Sequence, residues 1–498
     1  MSPLYVIVLG AIVLSLLVVS LTRLRRVKTR ADYLVAGRTL GAFVLIFTLL
    51  SSWIGSGSLL AGAENAYNHG FAALWQAAGG WFGLLLIYFI APRARKFAQF
   101  TIPDLLEARY SQTARVLGVI AILFAYTGIT SYQLIGGGDI LHLVFPTAIT
   151  PVLGKYIMTA FVIVFTAIAG MSSVAYMDVF IGLLATVTMI VALPFLVHSA
   201  GGWSSIHHTL PTTHFEVLGD FTFVGAMELM IPTLLLMLGN QAMYQKFFSA
   251  KSERDARVAV VGWVIGTVIL ETVIVTIAVV ASVLFRTGEV SRHPREIIAY
   301  TALHGLPALL GALLMGAVFA KIMSTANNFL FSPATNLIND IFIRYIAPNA
   351  SNKRILIVSR LIVVLLGIWS LYQAMNITSV LQQTLYAYTV YSAALTPVIL
   401  AAFYSKRATS AGAVTGIAAG TFVTVLWNTA FPDGNVSHWL LRTGFSPHLA
   451  AQLSQHDAIF PALVAAVLGL VIVSAMTHAP SQAQLDLFHG TAAAESAD

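Results

Sequence analysis

The chain has 498 residues, 58% hydrophobic and only 9% charged, with a mean hydropathy of +0.84. This balance excludes an ordinary soluble domain, and the absence of cysteine excludes disulfides, thiolate metal sites and thiol redox chemistry. A net charge of +7 would suit a nucleic-acid binder. The basic residues, however, lie in short segments between apolar runs, so membrane topology accounts for them and no nucleic-acid partner is expected.

Apolar runs of about 20 residues, enough to cross about 30 Å of hydrocarbon, recur along the whole chain. Thirteen spans are predicted, at residues 3–22, 41–65, 70–92, 115–142, 151–170, 175–198, 222–246, 258–285, 305–331, 355–375, 379–404, 411–431 and 458–477. The expected fold is all-α and integral to the membrane, with the lipid bilayer as its partner. The first run, Leu4–Leu21, precedes Arg23, Arg25, Arg26, Lys28 and Arg30 without a small-residue cleavage site, so it reads as a retained span. With the amino terminus outside, 21 of the 27 basic residues fall in cytoplasmic loops and span ends, Arg109, Arg115 and Lys246 among them. Outer loops keep Lys155, Arg286, Arg292, Arg295 and Arg442, and Lys321 is left in the membrane. That asymmetry predicts an outside amino terminus and a cytoplasmic carboxyl terminus, in a bacterial plasma membrane.

Two spans are interrupted near their middles. The second contains Ser51-Ser52-Trp53-Ile54-Gly55-Ser56-Gly57-Ser58, and the seventh contains Leu238-Gly239-Asn240-Gln241 after Pro232. Small-residue segments at membrane depth suit close helix packing or unwound backbone that lines a cavity. Breaks at corresponding places in two halves point to an inverted-repeat transporter with its site at the midplane.

The eighth span holds Glu271 near its middle, either a proton-coupling group or a glutamate bonded within the bundle. The ninth span holds Lys321, followed by Ser324 and Thr325 at i+3 and i+4, so one helical face carries an ammonium and two hydroxyls. A charge at that depth costs at least a few kcal/mol and needs a partner. Most of the histidines, including His207, His208 and His214, fall in outer segments, where an external pH sensor or a metal site is conceivable but a surface loop is the simpler reading.

Asp32-Tyr33-Leu34-Val35-Ala36-Gly37-Arg38, before the second span, resembles a motif of the sodium:solute symporter family. The likeness continues through Ser52–Gly57, Gly170–Asp178, Asn240-Gln241, Gln245-Lys246, Ala250-Lys251 and Ala320–Asp340. The resemblance implies the architecture named for the bacterial leucine transporter, with spans 2–6 and 7–11 as 5+5 inverted repeats, discontinuous helices 2 and 7, and alternating access. The corresponding division is residues 1–40 for the first span and its cytoplasmic loop, 41–200 and 201–408 for the two repeats, and 409–498 for two accessory spans and a tail.

In relatives a sodium ion lies between the second and ninth spans. The resemblance carries that ion's carbonyl ligands onto Ser51, Ile54 and Lys321 and its hydroxyl ligands onto Ser324 and Thr325. Here lysine replaces the usual small residue. Relatives with a second sodium ion use an aspartate like Asp178 and serines where this chain has Asn327 and Asn328. Met177 and Ile181 also replace the usual threonine and glutamine near the aspartate. Two readings follow. Lys321 replaces sodium as a built-in cation, making transport proton-coupled or sodium-independent, or it snorkels into the cytoplasmic vestibule and leaves a conventional sodium site.

The solute is expected beside Trp53, Ser56, Ser58 and Gln76 on one side and Asn240, Gln241 and Tyr244 on the other, and to be a small polar organic molecule. No cofactor is expected beyond a coupling ion, H+ or Na+. The Trp-Ile-Gly stretch resembles the choline branch, but the positions of that branch's further tryptophans align with Thr127 and Asn240. Hexose carriers have a glutamine and a glutamate where Ser58 and Ala77 align, so neither cargo is supported. A transporter-like sensor would need a signalling domain, and an enzyme would need a catalytic motif. Neither is legible in the sequence.

Overall fold

The computed structural model describes residues 3–24, 29–97, 101–286, 290, 293–377, 379–429, 442, 444, 446–448 and 456–489. Arg25, Arg26, Lys28 and Arg292, which enter the charge asymmetry, lie outside the described residues. Within them the protein is helical, and its one β-type contact is an isolated bridge between Leu40 and Ala250.

Eleven of the described helices are long and apolar enough to cross a membrane, and two more, Ala42–Trp53 and Pro151–Ala167, are apolar but shorter. Length and apolarity therefore do not by themselves establish thirteen crossings. The shorter pieces arise where a helix is broken. The elements around the breaks are α1 (Pro3–Leu24), α2 (Ala42–Trp53), α3 (Ala63–His69), α4 (Leu74–Phe97) and α5 (Gln112–Val144). They continue with α6 (Pro151–Ala167) and α7 (Gly170–Ser199), α8 (Phe223–Gly239), α9 (Gln241–Ser249), α10 (Glu253–Leu284), α11 (Ala308–Asn336), α12 (Asn352–Asn376) and α13 (Val380–Tyr404).

Helix ends follow local chemistry. Ser111, Thr150, Thr222, Ser252, Ser351 and Ser379 each accept a hydrogen bond from the amide three residues on, satisfying one of the donors that a helix start leaves free. Helix α11 is the axis of the bundle. It packs against α1, α5, the α6–α7 pair and α12, and every residue from Leu314 to Asn336 is buried. A helix apolar around most of its circumference has no lipid-facing side to spare, so its lysine, hydroxyls and amides can bond only to neighbouring helices or to α11 itself.

The Asp32–Arg38 motif has a structural role. Thr29 and Asp32 form a reciprocal capping box, and this seats the buried Tyr33 against the α6–α7 junction. Gly170 at that junction adopts φ 61°, ψ −155°, a region open essentially to glycine. A Cβ there would lie 2.6 Å from Tyr33. Gly170→Ala is expected to lower stability by about 1–3 kcal/mol from backbone strain alone, read as a lower thermal unfolding midpoint in detergent. An unchanged midpoint would show that the junction relaxes freely.

Candidate ion and solute site

Helix α2 ends where Ile54 leaves helical geometry at φ −82°, ψ 101°. The last turn thus presents carbonyls to α11. Gly55 permits close approach, because a Cβ there would lie 2.6 Å from Thr325 Oγ1. The Thr325 hydroxyl lies 2.9 Å from the carbonyl oxygen of Ser51, 3.2 Å from that of Ile54 and 3.1 Å from that of Lys321. One hydroxyl has one proton to donate, which the Ser51 and Ile54 carbonyls at the unwound end of α2 share with the Lys321 carbonyl. The latter is inside the continuous helix α11 and so also accepts an intrahelical amide. The cluster is rich in acceptors.

The Lys321 ammonium is fully buried and reaches the Ser51 hydroxyl, 3.1 Å away, rather than those carbonyls. Ser324 turns to a different partner, Asp178 on α7, to which it donates a short hydrogen bond. The Asp178 carboxylate also accepts from Thr48 Oγ1 at 2.5 Å and from Asn328 Nδ2 at 3.3 Å. The backbone carbonyl of Asp178 accepts from Ser51 Oγ at 3.0 Å. Asn327 faces elsewhere, its Oδ1 accepting from Thr166 at 3.1 Å. The polar face predicted on α11 therefore divides its work: Lys321 and Thr325 serve α2, and Ser324 and Asn328 serve Asp178.

A second lysine joins them. Lys246, placed from the sequence at the cytoplasmic end of the seventh span, is fully buried and donates to Ser52 Oγ in a short bond and to Asn328 Oδ1 at 2.6 Å. The span end is buried rather than exposed because the seventh span breaks at Asn240 and resumes as α9, all nine residues of which are buried. Lys321 is thus not the one lysine at depth. Burying two lysines beside one carboxylate carries a large desolvation cost, offset only by good pairing and hydrogen bonds.

The second break is closed by the protein's own groups. Asn240 caps α9 through the amides of Ala242 and Met243 and accepts from Tyr126 Oη at 2.8 Å. Tyr391 Oη donates to the Gly239 carbonyl at 2.6 Å and accepts from the Gln241 amide at 3.0 Å. Gln241 Oε1 accepts from the Ile102 amide at 2.5 Å, and Tyr244 Oη donates to the Leu238 carbonyl at 3.0 Å. The Ser56 amide donates to Gln133 Oε1 at 2.7 Å.

A separate cavity of about 30 Å³ lies between α2, α4, α8, α10 and α13. Its lining includes Trp53, Ser58, Gln76, Thr233, Glu271 and Tyr388. It brings together three of the predicted solute residues with Glu271, and it does not include Ser56, Asn240, Gln241 or Tyr244. A space of this size holds a water molecule or two, so a larger solute requires the helices to part. Glu271 accepts from Trp53 Nε1 at 2.9 Å, Trp81 Nε1 at 2.8 Å and Ser58 Oγ at 3.3 Å. Trp53 also stacks on Tyr388, with ring centroids 6.0 Å apart.

Sequence reasoning missed Lys246, Thr48, Gln133, Trp81 and Tyr388 as site residues. The Gln245-Lys246 motif and the break at Asn240 were the available signal for the lysine. The other four come from distant spans with no shared spacing. Among the outer histidines, His214 is buried, and burial holds its imidazole pKa below the ordinary range. Among the described residues no cluster of histidine, cysteine or acidic side chains is arranged to hold a metal ion.

A model of the sodium:solute symporter family matches residues 33–420, a stretch that contains both broken helices, Asp178 and the α11 hydroxyls. The chain belongs to the sodium:solute symporter family. It is 25% identical to the osmoregulated proline transporter OpuE of Bacillus subtilis, over 98% of each chain. It is 25% identical to the high-affinity proline transporter PutP of the same organism, over 93% of this chain and 96% of that one. A sodium/proline symporter of Staphylococcus aureus is 24% identical, over 84% and 85% respectively. Among solved structures, a substrate-bound, outward-open Na+-coupled sialic acid symporter superposes with a TM-score of 0.77 at 18% identity, covering 96% of this chain and 99% of that one. MhsT in complex with L-phenylalanine gives 0.51 at 15% identity, covering 87% and 98%. These likenesses establish a leucine-transporter-like fold, and the family and its relatives are transporters, not enzymes. The protein is an integral membrane secondary transporter for a small organic solute.

Asp178→Asn removes the one acidic side chain bonded into the lysine cluster among the described residues. It is expected to cost about 3–5 kcal/mol, because it leaves buried ammonium groups uncompensated. Adding Lys321→Met to that variant should recover part of the loss, measured as thermal unfolding midpoints in detergent. Strictly additive losses would show that the lysine and the aspartate are not coupled.

Proposed function

We propose that Lys321, with Lys246, supplies the positive charge that the family takes from sodium, so that transport of a small polar organic solute is proton-coupled or sodium-independent. One observation carries this reading. Two buried lysines converge on the Ser51-Ser52 turn and on the Asn328–Asp178 pair, beside the oxygens that relatives offer to the ion. With all three groups ionised the cluster already carries a net positive charge. A further unit charge 4 Å from an ammonium is opposed by about 4 kcal/mol at an effective dielectric of 20.

The proposed ion-site residues are Ser51, Ile54, Lys321, Ser324 and Thr325, with Asp178, Asn327 and Asn328 beside them as groups for a second ion or a proton. Glu271 is kept as a group facing the solute cavity. We further propose inverted repeats at 41–200 and 201–408, an outside amino terminus and a bacterial plasma-membrane location. The orientation is supported by the basic-residue asymmetry, which survives the removal of Lys246 from the cytoplasmic count.

A conventional sodium symporter is the second reading, favoured by the three carbonyls gathered around Thr325. Uptake into proteoliposomes separates the two. With L-proline as the first solute tried, replacing sodium by potassium should change the initial rate by less than about fivefold, below the range typical of energetically coupled sites. Lys321→Ala should create a sodium requirement. A larger loss on sodium removal in the wild type, unaltered by Lys321→Ala, would support the conventional reading.

A further inference from the structure

The cavity between α2, α4, α8, α10 and α13 carries one carboxylate, that of Glu271, and the Gln76 amide among its described lining residues. A carboxylate offers about four acceptor positions, and Glu271 has three of them filled, two on Oε1 and one on Oε2. The donors that fill them, Trp53, Ser58 and Trp81, are thereby committed. Gln76, more than nine-tenths buried in the same lining, has an Oε1 with no hydrogen-bond partner. An unpaired buried acceptor costs stability unless a ligand or water satisfies it. No lysine or arginine is among the described lining residues. The Trp53 and Tyr388 rings form a stacked wall beside the carboxylate, and aromatic faces attract cations.

We infer that this cavity recognises a protonated primary or secondary amine, with the N–H donors of the cargo directed to Glu271 and Gln76 and its positive charge set against the Trp53–Tyr388 wall. Two open acceptors require at least two N–H groups, which a quaternary ammonium lacks, and an anion would meet the Glu271 carboxylate with no cation to offset it. Tyr388 joins Trp53 in that wall from another helix, while Trp81 reaches Glu271 by its indole N–H. The inference extends the transport reading by naming the chemical class of its cargo. It does not depend on which ion drives the cycle.

The test is equilibrium binding to the purified full-length protein in detergent, followed by tryptophan fluorescence, since Trp53 and Trp81 both contact Glu271. The probes are L-proline, pyrrolidine and tetrahydro-2-furoate, each measured with and without sodium. Pyrrolidine keeps the secondary ammonium and loses the carboxylate, whereas tetrahydro-2-furoate keeps the carboxylate and has oxygen in place of nitrogen. Saturable responses to pyrrolidine and L-proline, with none to tetrahydro-2-furoate, are expected. Glu271→Gln should weaken amine binding at least about thirtyfold, as expected when one partner of a buried charge pair is neutralised. Glu271→Asp should restore part of it. Gln76→Leu, which leaves the carboxylate intact, should weaken binding by about two- to tenfold.

Binding of tetrahydro-2-furoate as tight as that of L-proline would overturn the inference. So would amine binding unaffected by Glu271→Gln in a variant that still unfolds cooperatively, or the absence of any amine response. Amine binding that depends on Glu271 together with strictly sodium-dependent uptake would overturn the sodium-replacement reading alone.

Discussion

The Asp178 carboxylate is the constraint on which the centre of the molecule depends. It is buried in α7 and accepts from Thr48 on α2 and from Ser324 and Asn328 on α11. Through Asn328 it is linked to Lys246 on α9, and through Ser51 to Lys321. One acceptor therefore fixes four helices, two of them halves of broken spans. In a low-dielectric interior such a network is strong when fully satisfied and costly when any member is lost. It also makes the broken backbone tolerable, since unwound carbonyls at membrane depth need partners inside the protein.

The two helix breaks are handled differently. At Asn240 the freed backbone groups are taken up by Tyr126, Tyr391 and the Asn240 side-chain oxygen, while the side-chain amide nitrogens of Asn240 and Gln241 stay buried without a hydrogen-bond partner. At Ile54 the carbonyls of Ser51 and Ile54 crowd one hydroxyl, and these acceptors favour positive charge. In the reading proposed above, the ammoniums of Lys321 and Lys246 supply that charge. The cavity lined by Trp53 and Glu271 adjoins the same break, where Trp53 turns towards Glu271. Cation-rich and anion-rich sites thus share one short, unwound segment, a geometry through which filling one can alter the other.

Much of this arrangement is legible in the sequence. The i, i+3, i+4 spacing of Lys321, Ser324 and Thr325 puts all three on one face, and the small-residue segments mark both breaks. Family motifs connect Asp178 to the same locality. Lys246 is misread because hydropathy places it at the end of a span. Only the break at Asn240, which starts a new buried helix, reveals its depth. The partners of Glu271 escape for a different reason. Trp81 and Tyr388 are brought to it by the packing of α4 and α13, and no periodicity within one helix encodes contacts between helices. The predicted Asn240, Gln241 and Tyr244 lie at the break, where their side-chain oxygens are bonded within the protein and the amide nitrogens of Asn240 and Gln241 are left without a partner.

Binding of sodium itself to the purified protein addresses the ion's place most directly. Titration with radioactive sodium in the absence of solute should show no saturable binding in the millimolar range to the wild type, and a saturable site in Lys321→Ala. Saturable binding to the wild type, equal in affinity to that of Lys321→Ala, would contradict the account, because it would mean that the ion and the buried ammonium occupy the site together.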